Sequence, residues 1–332
     1  MKIDDIKNKI INGDTLTELK KFPDESVNCI ITSPPYFNLR DYQIEGQIGL
    51  EETWQEYIRK LLDIFNEVKR ILKKDGTCFV NLGDSFAGSG KGRNGNGTAG
   101  KTKSLNKNHK GTLEGIIKKC DYGEISDKSL MMIPERFAIA MIDQKWILRN
   151  KLVWIKRNAM PESVQDRWKK AHEYIFFFVK NKKYYFDLDA IRTPHKNISI
   201  KRAEYEQGRN ALGQNISSLG DKSAKYGMPA RVVKLNPKGA VPPDFLDINT
   251  NCRAGETMTE HYATYPMDLI NPLIKAGSKE GDIILDIFNG SGTSCVAAKL
   301  LNRNYIGIDL NKKYCDIATA RLKSLPNSLF DK

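Results

Sequence analysis

Along the first half of the chain, short apolar runs alternate with stretches of helical periodicity, the pattern of a largely parallel sheet covered by helices. Ile10 and Ile11, before Asn12-Gly13-Asp14, mark one strand end, and Val27 to Ile31 read as a second, buried strand. Between Thr53 and Lys73, the side chains of Trp54, Tyr57, Ile58, Leu61, Leu62, Phe65, Val68, Ile71 and Leu72 fall on one helical face, with Gly76 as the stop signal. Thr77 to Leu82 follows as a strand ending at Gly83-Asp84, and a helix is predicted from Pro134, suited to a first turn, to about Asp143. Trp146 to Ile155, Glu173 to Val179 and Lys183 to Phe186 read as strands, the last two joined by a tight turn over 180–182. They predict an antiparallel hairpin on an otherwise parallel sheet.

Nearer the C-terminus, Ile283 to Ile287 reads as a strand, Thr293 to Leu300 as a helix, Tyr305 to Asp309 as a strand and Tyr314 to Leu325 as a helix. Two strands do not make a doubly wound sheet, and only one helix follows Asp309. Their neighbours must come from earlier in the chain, so the order of elements reads as circularly permuted.

Two stretches interrupt the periodicity. Residues 87–111 are rich in Gly, Lys, Asn and Thr and predict a mobile basic loop. Within it, Gly95 to Thr102 fits the phosphate-loop spacing G-x-x-x-x-G-K-[ST], but neither flank supplies the strand and helix that motif requires, so a loop covering a nucleic acid is the better reading. From Thr193 to Cys252 the pattern fades while Lys196, Lys201, Arg202, Arg209, Lys222, Lys225, Arg231, Lys234 and Lys238 accumulate. This segment reads as a target-recognition insertion or, more simply, as a solvated one.

Charge sharpens the choice of partner. The chain carries 53 Lys and Arg against 40 Asp and Glu, a formal +13 over 332 residues, which favours a polyanion through counterion release. The six cysteines form no C-x-x-C pair and the four histidines lack ligand spacing, which predicts reduced thiols, no metal and a cytoplasmic protein. Met1 to Asp5 is acidic rather than signal-like, and no segment approaches a membrane span.

Two motifs carry the chemistry. Thr32-Ser33-Pro34-Pro35-Tyr36 is a rigid, aromatic-tipped turn after a strand, and Asp286-Ile287-Phe288-Asn289-Gly290-Ser291-Gly292-Thr293 is a glycine-rich turn between a strand and a helix. An acid at Asp309, ending the next strand, is placed to accept hydrogen bonds from both hydroxyls of a ribose, implying an adenosine cofactor. A nicotinamide dinucleotide, and with it an NAD-dependent oxidoreductase, is the competing reading. It is weakened because Cys295 occupies the third glycine position of G-x-G-x-x-G.

With these motifs in this order, the chain resembles the DNA amino-methyltransferases of the permuted beta arrangement, which use S-adenosylmethionine. Gly13-Asp14, Asn38 to Tyr42, Arg167 with His172-Glu173-Tyr174, and His261 to Pro266 belong to the same resemblance. It implies an α/β, doubly wound, mostly parallel Rossmann-like methyltransferase fold. Residues 1–192 would be the catalytic part, 193–252 the target-recognition segment and 253–332 the cofactor-binding part of the same domain. It implies further that Asp286 and the Gly290, Gly292, Thr293 turn hold the methionine end, with Phe288 against the cofactor and Asp309 on the ribose. Thr32 counts with the cofactor residues, Asp14 approaches the adenine, and Thr264 and Pro266 line the methionine side. Asp14 and Thr264 read equally as caps of a turn and a helix.

Such chemistry has a physical requirement. An exocyclic amino group is a poor nucleophile because its lone pair is delocalised, so acceptors beside its N–H bonds must draw it toward a tetrahedral shape. The Ser33 hydroxyl and the Pro34 carbonyl can supply them, Pro35 fixes the turn, and Tyr36 offers a stacking face to a base flipped out of double-stranded DNA. Methyl transfer is then direct displacement without a metal. Ser-Pro-Pro-Tyr is commoner in the family with cytosine N4 and Asp-Pro-Pro-Tyr with adenine N6, so cytosine is favoured and adenine is the alternative. His172 and Glu173 line the base pocket or are structural. The protein is expected to belong with a separate restriction endonuclease or to be an orphan modifier, and to be a monomer or homodimer; the same fold acting on RNA or a protein amide, whose relatives usually carry Asn at the Ser33 position, and a noncatalytic DNA-binding protein are the remaining alternatives.

Overall fold

The computed structural model describes residues 2–88, 121–159, 161–211, 235–250 and 265–325. In chain order the elements are β1 (Lys9–Asn12), α1 (Thr15–Leu19), β2 (Val27–Thr32), α2 (Trp54–Ile71), β3 (Leu72–Leu82), α3 (Ile133–Asp143), β4 (Ile147–Ile155), β5 (His172–Val179), α4 (Asn197–Ala211), β6 (Phe245–Asp247), α5 (Met267–Gly277), β7 (Ile283–Asp286), α6 (Thr293–Leu300), β8 (Asn304–Asp309) and α7 (Lys312–Ser324). The eight strands form one sheet in the order β1-β8-β7-β2-β3-β5-β4-β6. Only β5 runs against its neighbours.

Residue alternation along the central strands divides the core into two layers. Ile30, Cys78, Val80, Phe176 and Phe178 face one side, where they meet Tyr57, Leu61 and Phe65 of α2 and Phe137 of α3. Cys29, Ile31, Phe79, Ile175 and Phe177 face the other, against Leu269, Ile270 and Leu273 of α5 and Ala297 and Ala298 of α6. Both faces of the central strands are covered, which is why these segments read as near-continuous apolar runs. Thr53 caps α2 by accepting from the Glu56 N–H at 3.2 Å, and the helix passes directly into β3 at Leu72.

Three expectations are corrected. Gly76 does not stop α2: it lies inside β3, where an added Cβ would come within 2.7 Å of the Leu72 side chain and 2.9 Å of the Asn28 carbonyl. Lys183 to Phe186 is no strand. Both edges of β5 are already taken by β3 and β4, and the segment is tied instead to the start of β3 by Tyr185 N–H to the Asp75 carbonyl (2.8 Å) and Asn181 Nδ2 to the Lys74 carbonyl (2.7 Å). The antiparallel pairing therefore lies between β5 and its two neighbours. The third correction concerns the stretch of faded periodicity, which holds the helix α4.

The chain divides into two compact units, one of residues 1–186 with 244–332 and a smaller one of 187–243. In the smaller unit Thr193 and Ala240 exchange backbone hydrogen bonds, and Asp189 pairs with Arg192 (2.6 Å) and Lys238 (2.8 Å). Residues 244–250 belong with the sheet, because β6 pairs with β4 from Val153↔Phe245 to Ile155↔Asp247. Of the basic residues singled out in the sequence, Lys222, Lys225, Arg231 and Lys234 lie outside the described residues, as does 89–111 of the basic loop with its phosphate-loop look-alike.

Candidate active site

The sheet reverses direction of winding between β7 and β2, and the carboxyl ends of these two strands carry the two motifs. Such a switch point opens a crevice in doubly wound sheets. Register brings the motifs together: Cys29 lies beside Ile284 and Ile30 beside Leu285, so Thr32 reaches Asp286 across 254 residues of sequence, its hydroxyl donating to Asp286 Oδ1 at 2.7 Å. A cavity of about 520 Å³ opens there, within the range that holds a cofactor.

Of the residues singled out in the sequence, Ser33, Pro34, Pro35, Tyr36, Asp14, Phe288, Gly290, Thr293 and Asp309 line this cavity. Thr32, Asp286, Gly292 and Pro266 are not on its wall, and Thr264 lies outside the described residues. Asp286 is 1% exposed and fully engaged. Its Oδ1 accepts from Thr32 and from the Phe288 N–H (3.1 Å), its Oδ2 from the Tyr265 hydroxyl (2.8 Å) and the Ser294 hydroxyl (2.7 Å). Burial pushes its carboxyl up, against the pull of those four donors. Asp286 is thus the internal bolt between the two turns. Gly292 sits at φ +84°, where a Cβ would lie 2.7 Å from that of Ala318 in α7.

Asp309 stands beside the glycine-rich turn on the cavity wall. Its carboxylate accepts from Gly290 N–H at 2.7 Å and Asn311 N–H at 2.8 Å, and burial raises it to about 6. Asp14 caps α1, accepting from the Thr17 N–H (2.9 Å) and hydroxyl (2.6 Å) through Oδ1, and lines the cavity at the same time.

The proline turn is held from beneath. Tyr57 of α2 donates its hydroxyl to the Pro35 carbonyl at 2.8 Å, whereas no donor is bonded to the Pro34 carbonyl among the described residues. Tyr36 donates to Glu173 Oε2 at 2.7 Å and accepts from Asn81 Nδ2 at 2.6 Å; the same amide donates to Glu173 at 3.0 Å and lies 3.5 Å from Ser33 Oγ. Burial works against charge on Glu173, but Lys156 in direct contact, with Asn81 and Tyr36, holds its carboxyl below the ordinary range. Burial and the neighbouring carboxylate keep the Tyr36 phenol well above its usual value, hence neutral. Gly83 makes room for the ring, since a Cβ there would sit 2.5 Å from Tyr36 Cε2.

Asn81, Lys156, Ser294 and Gly83 carry no motif in the sequence, whereas Tyr265 falls within the His261 to Pro266 stretch. A polar Asn81 within the apolar run Phe79 to Leu82 is the signal that points to it. Among the described residues no three His, Cys, Asp or Glu side chains gather as metal ligands, and no helix is long and apolar enough to cross a membrane.

A permuted doubly wound sheet with a Ser-Pro-Pro-Tyr turn bolted to a glycine-rich turn is a methyltransferase fold. The chain belongs to the DNA methylase family N6_N4_Mtase, whose match spans residues 27–320, and is a DNA amino-methyltransferase of that N4/N6 group. It is 36% identical over 314 residues to the type II methyltransferase M.XycI of Xanthomonas campestris pv. cyanopsidis, covering 95% of this chain and 87% of that one. Against the type II methyltransferase M.Cfr9I of Citrobacter freundii the identity is 37% with the same coverage. In fold it is similar to the PvuII DNA methyltransferase (cytosine-N4-specific), with a TM-score of 0.61 and 19% identity over 96% of this chain and 87% of the other.

Proposed function

We propose that the protein transfers a methyl group from S-adenosylmethionine to the N4 amino group of a cytosine flipped out of duplex DNA, as the modification partner of a type II restriction endonuclease in the cytoplasm. The observation that carries this reading is the Thr32–Asp286 bond, which puts Ser33 and the Pro34 carbonyl on the same cavity as Gly290 and Asp309.

The donor set fits the cofactor. A half-buried carboxylate at Asp309 suits the ribose diol, Phe288, Tyr42 and Tyr314 offer aromatic surface to an adenine, and the Gly290 to Thr293 turn offers small residues for close backbone approach. Asp14 extends the polar wall. When bound, S-adenosylmethionine supplies a methyl already activated on a positively charged sulfur.

This chain's residues supply the rest. Ser33 Oγ and the Pro34 carbonyl accept the two N–H bonds of the amino group, and the bonded Pro35 carbonyl cannot compete for them. Tyr36, neutral and clamped by Glu173 and Asn81, presents its face to the base. So held, the amino nitrogen would be placed to accept the methyl that bound S-adenosylmethionine supplies, and its surplus proton would leave past the acceptors at Ser33 or Pro34 to water. Alignment, more than acid–base catalysis, supplies the rate. Sequence discrimination falls to the 193–252 segment with its basic side chains. Cytosine rather than adenine rests on serine at position 33.

Expression in a host free of DNA methylation, followed by digestion of its DNA to nucleosides and mass spectrometry, tests the reading. N4-methylcytosine is expected. N6-methyladenine would move the target base, and the absence of both would defeat the proposal.

A further inference from the structure

We infer that Trp168 is a DNA-contacting wedge, displayed at the rim of the cavity to stack into the duplex where the flipped nucleotide leaves its place. The inference rests on the proposed action upon a flipped base.

Trp168 is 94% exposed, whereas Trp146 and Trp154 are 2% and 3% exposed in the core. An indole left in water is unusual in a well-packed protein and marks a contact surface when its surroundings are rigid. Here they are. The connection between β4 and β5 that bears it is pinned at several of its described residues. Arg167 lies over the Phe86 ring at 3.9 Å and donates to Glu162 (2.7 Å) and to the Trp168 carbonyl (3.0 Å). Asp166 pairs with Lys128 at 2.6 Å, Lys169 donates to the Ala159 carbonyl at 3.3 Å, and Lys170 donates to that of Asp84. The backbone closes at the base through Lys156 N–H to the Ala171 carbonyl at 2.8 Å. Exposure of the indole is therefore a result of the loop's construction and not of a loop without contacts.

Position and charge select the partner. Ala159, Glu162 and Lys170 of the same connection line the cavity, so the indole stands within a few residues of the space into which a base would turn. From 156 to 170 the connection carries Lys156, Arg157, Arg167, Lys169 and Lys170 against Glu162 and Asp166; Lys156, Arg157 and Arg167 pair with Glu173, Asp247 and Glu162, Asp166 pairs with Lys128, and Lys169 and Lys170, which donate to carbonyls, supply the positive charge beside the indole. A cationic, ordered loop tipped with a flat aromatic ring suits a polyanion with stacked bases. Taking a base out of the stack leaves a gap whose neighbours lose stacking, and an inserted ring restores it.

The experiment uses the full chain and a synthetic duplex bearing the site that single-molecule sequencing of methylated host DNA returns. Trp168→Ala and Trp168→Phe are compared with the wild type in duplex affinity by fluorescence anisotropy, in KM and kcat, in S-adenosylmethionine affinity and in thermal unfolding. Trp168→Ala should weaken duplex binding and raise KM by about ten-fold, with Trp168→Phe recovering most of the loss. Cofactor affinity and melting should not change, since the ring makes no core contact. Mispairing the target base should shrink the deficit, because a base that leaves the stack more easily needs the wedge less. Wild-type affinity and KM in Trp168→Ala would overturn the inference while leaving the methyltransferase reading intact, and so would an effect confined to self-association in light scattering. A wild type that leaves the DNA unmodified would be a failure of the functional reading itself.

Discussion

Gly83→Ala is the most direct challenge to the idea that the Tyr36 ring must occupy one position. The new methyl would lie 2.5 Å from Tyr36 Cε2, 2.9 Å from Cδ2 and 3.2 Å from Cζ. Carbon atoms rest at about 3.5–4.0 Å, so the ring must retreat by about 1 Å. It has nowhere to go without loss, because its hydroxyl is held at 2.7 Å by Glu173 and 2.6 Å by Asn81. Overpacking of this kind costs about 1–3 kcal/mol, and a hydrogen bond to a charged group contributes about 1.5–3 kcal/mol. A misplacement of about 1 Å lowers a rate by about 10² through lost alignment. Transfer of a labelled methyl to DNA should therefore show kcat reduced about a hundred-fold. Binding of S-adenosylmethionine by calorimetry should not change, since the Gly290–Asp309 wall is not touched. Tyr36→Phe, which removes the hydroxyl but keeps the ring, should lose less. Wild-type kcat in Gly83→Ala would refute the requirement for a fixed ring.

Three other outcomes follow from the same geometry. Lys156→Met removes the cation that holds buried Glu173 below the ordinary carboxylate range; burial then raises the carboxyl, which should move the acid limb of the pH–rate profile to higher pH than in the wild type and lower stability by about 3 kcal/mol in thermal unfolding. Asp309 lies at about 6 against an ordinary value of about 4, so the free fold takes up a proton between those values and this group's contribution to stability grows as pH falls through that window; affinity for S-adenosylmethionine, which needs the charged carboxylate, should fall below pH 6 in titration calorimetry. Gly292→Val meets both a positive φ and the Ala318 side chain, so melting should drop by several degrees, and a variant that melts like the wild type would contradict the tight seat of α7 against this turn.

The sheet was legible from the sequence wherever burial on both faces produced apolar runs, and α6 falls on Thr293–Leu300 as its periodicity predicts. Lys183 to Phe186 misled because a run of aromatic residues reports strand preference and not whether a neighbouring edge is free; both edges of β5 were taken. The wall residues of the site came from motifs, since turn chemistry is local. Of the clamp on Tyr36, Glu173 was visible beside His172 but Asn81 and Lys156 were not: Asn81 sits on β3, Glu173 on β5 and Lys156 just past β4, and only strand register makes them neighbours. Asp286 was visible as a site residue, but its complete internal bonding, including Tyr265 and Ser294, depends on packing that no spacing encodes.

Strands β1 and β2 are made first, yet they are separated in the sheet by β8 and β7, which are made last. A ribosome therefore releases more than two hundred residues while the gap between the opening strands stays unfilled, and neither of the facing edges has its partner. Exposed strand edges invite association between nascent chains, so yield in cells should depend on chaperone protection during synthesis. The same order makes competence all-or-none: a product cut short before β7 retains the proline turn but has nothing to bolt it to, and cannot modify a genome by halves.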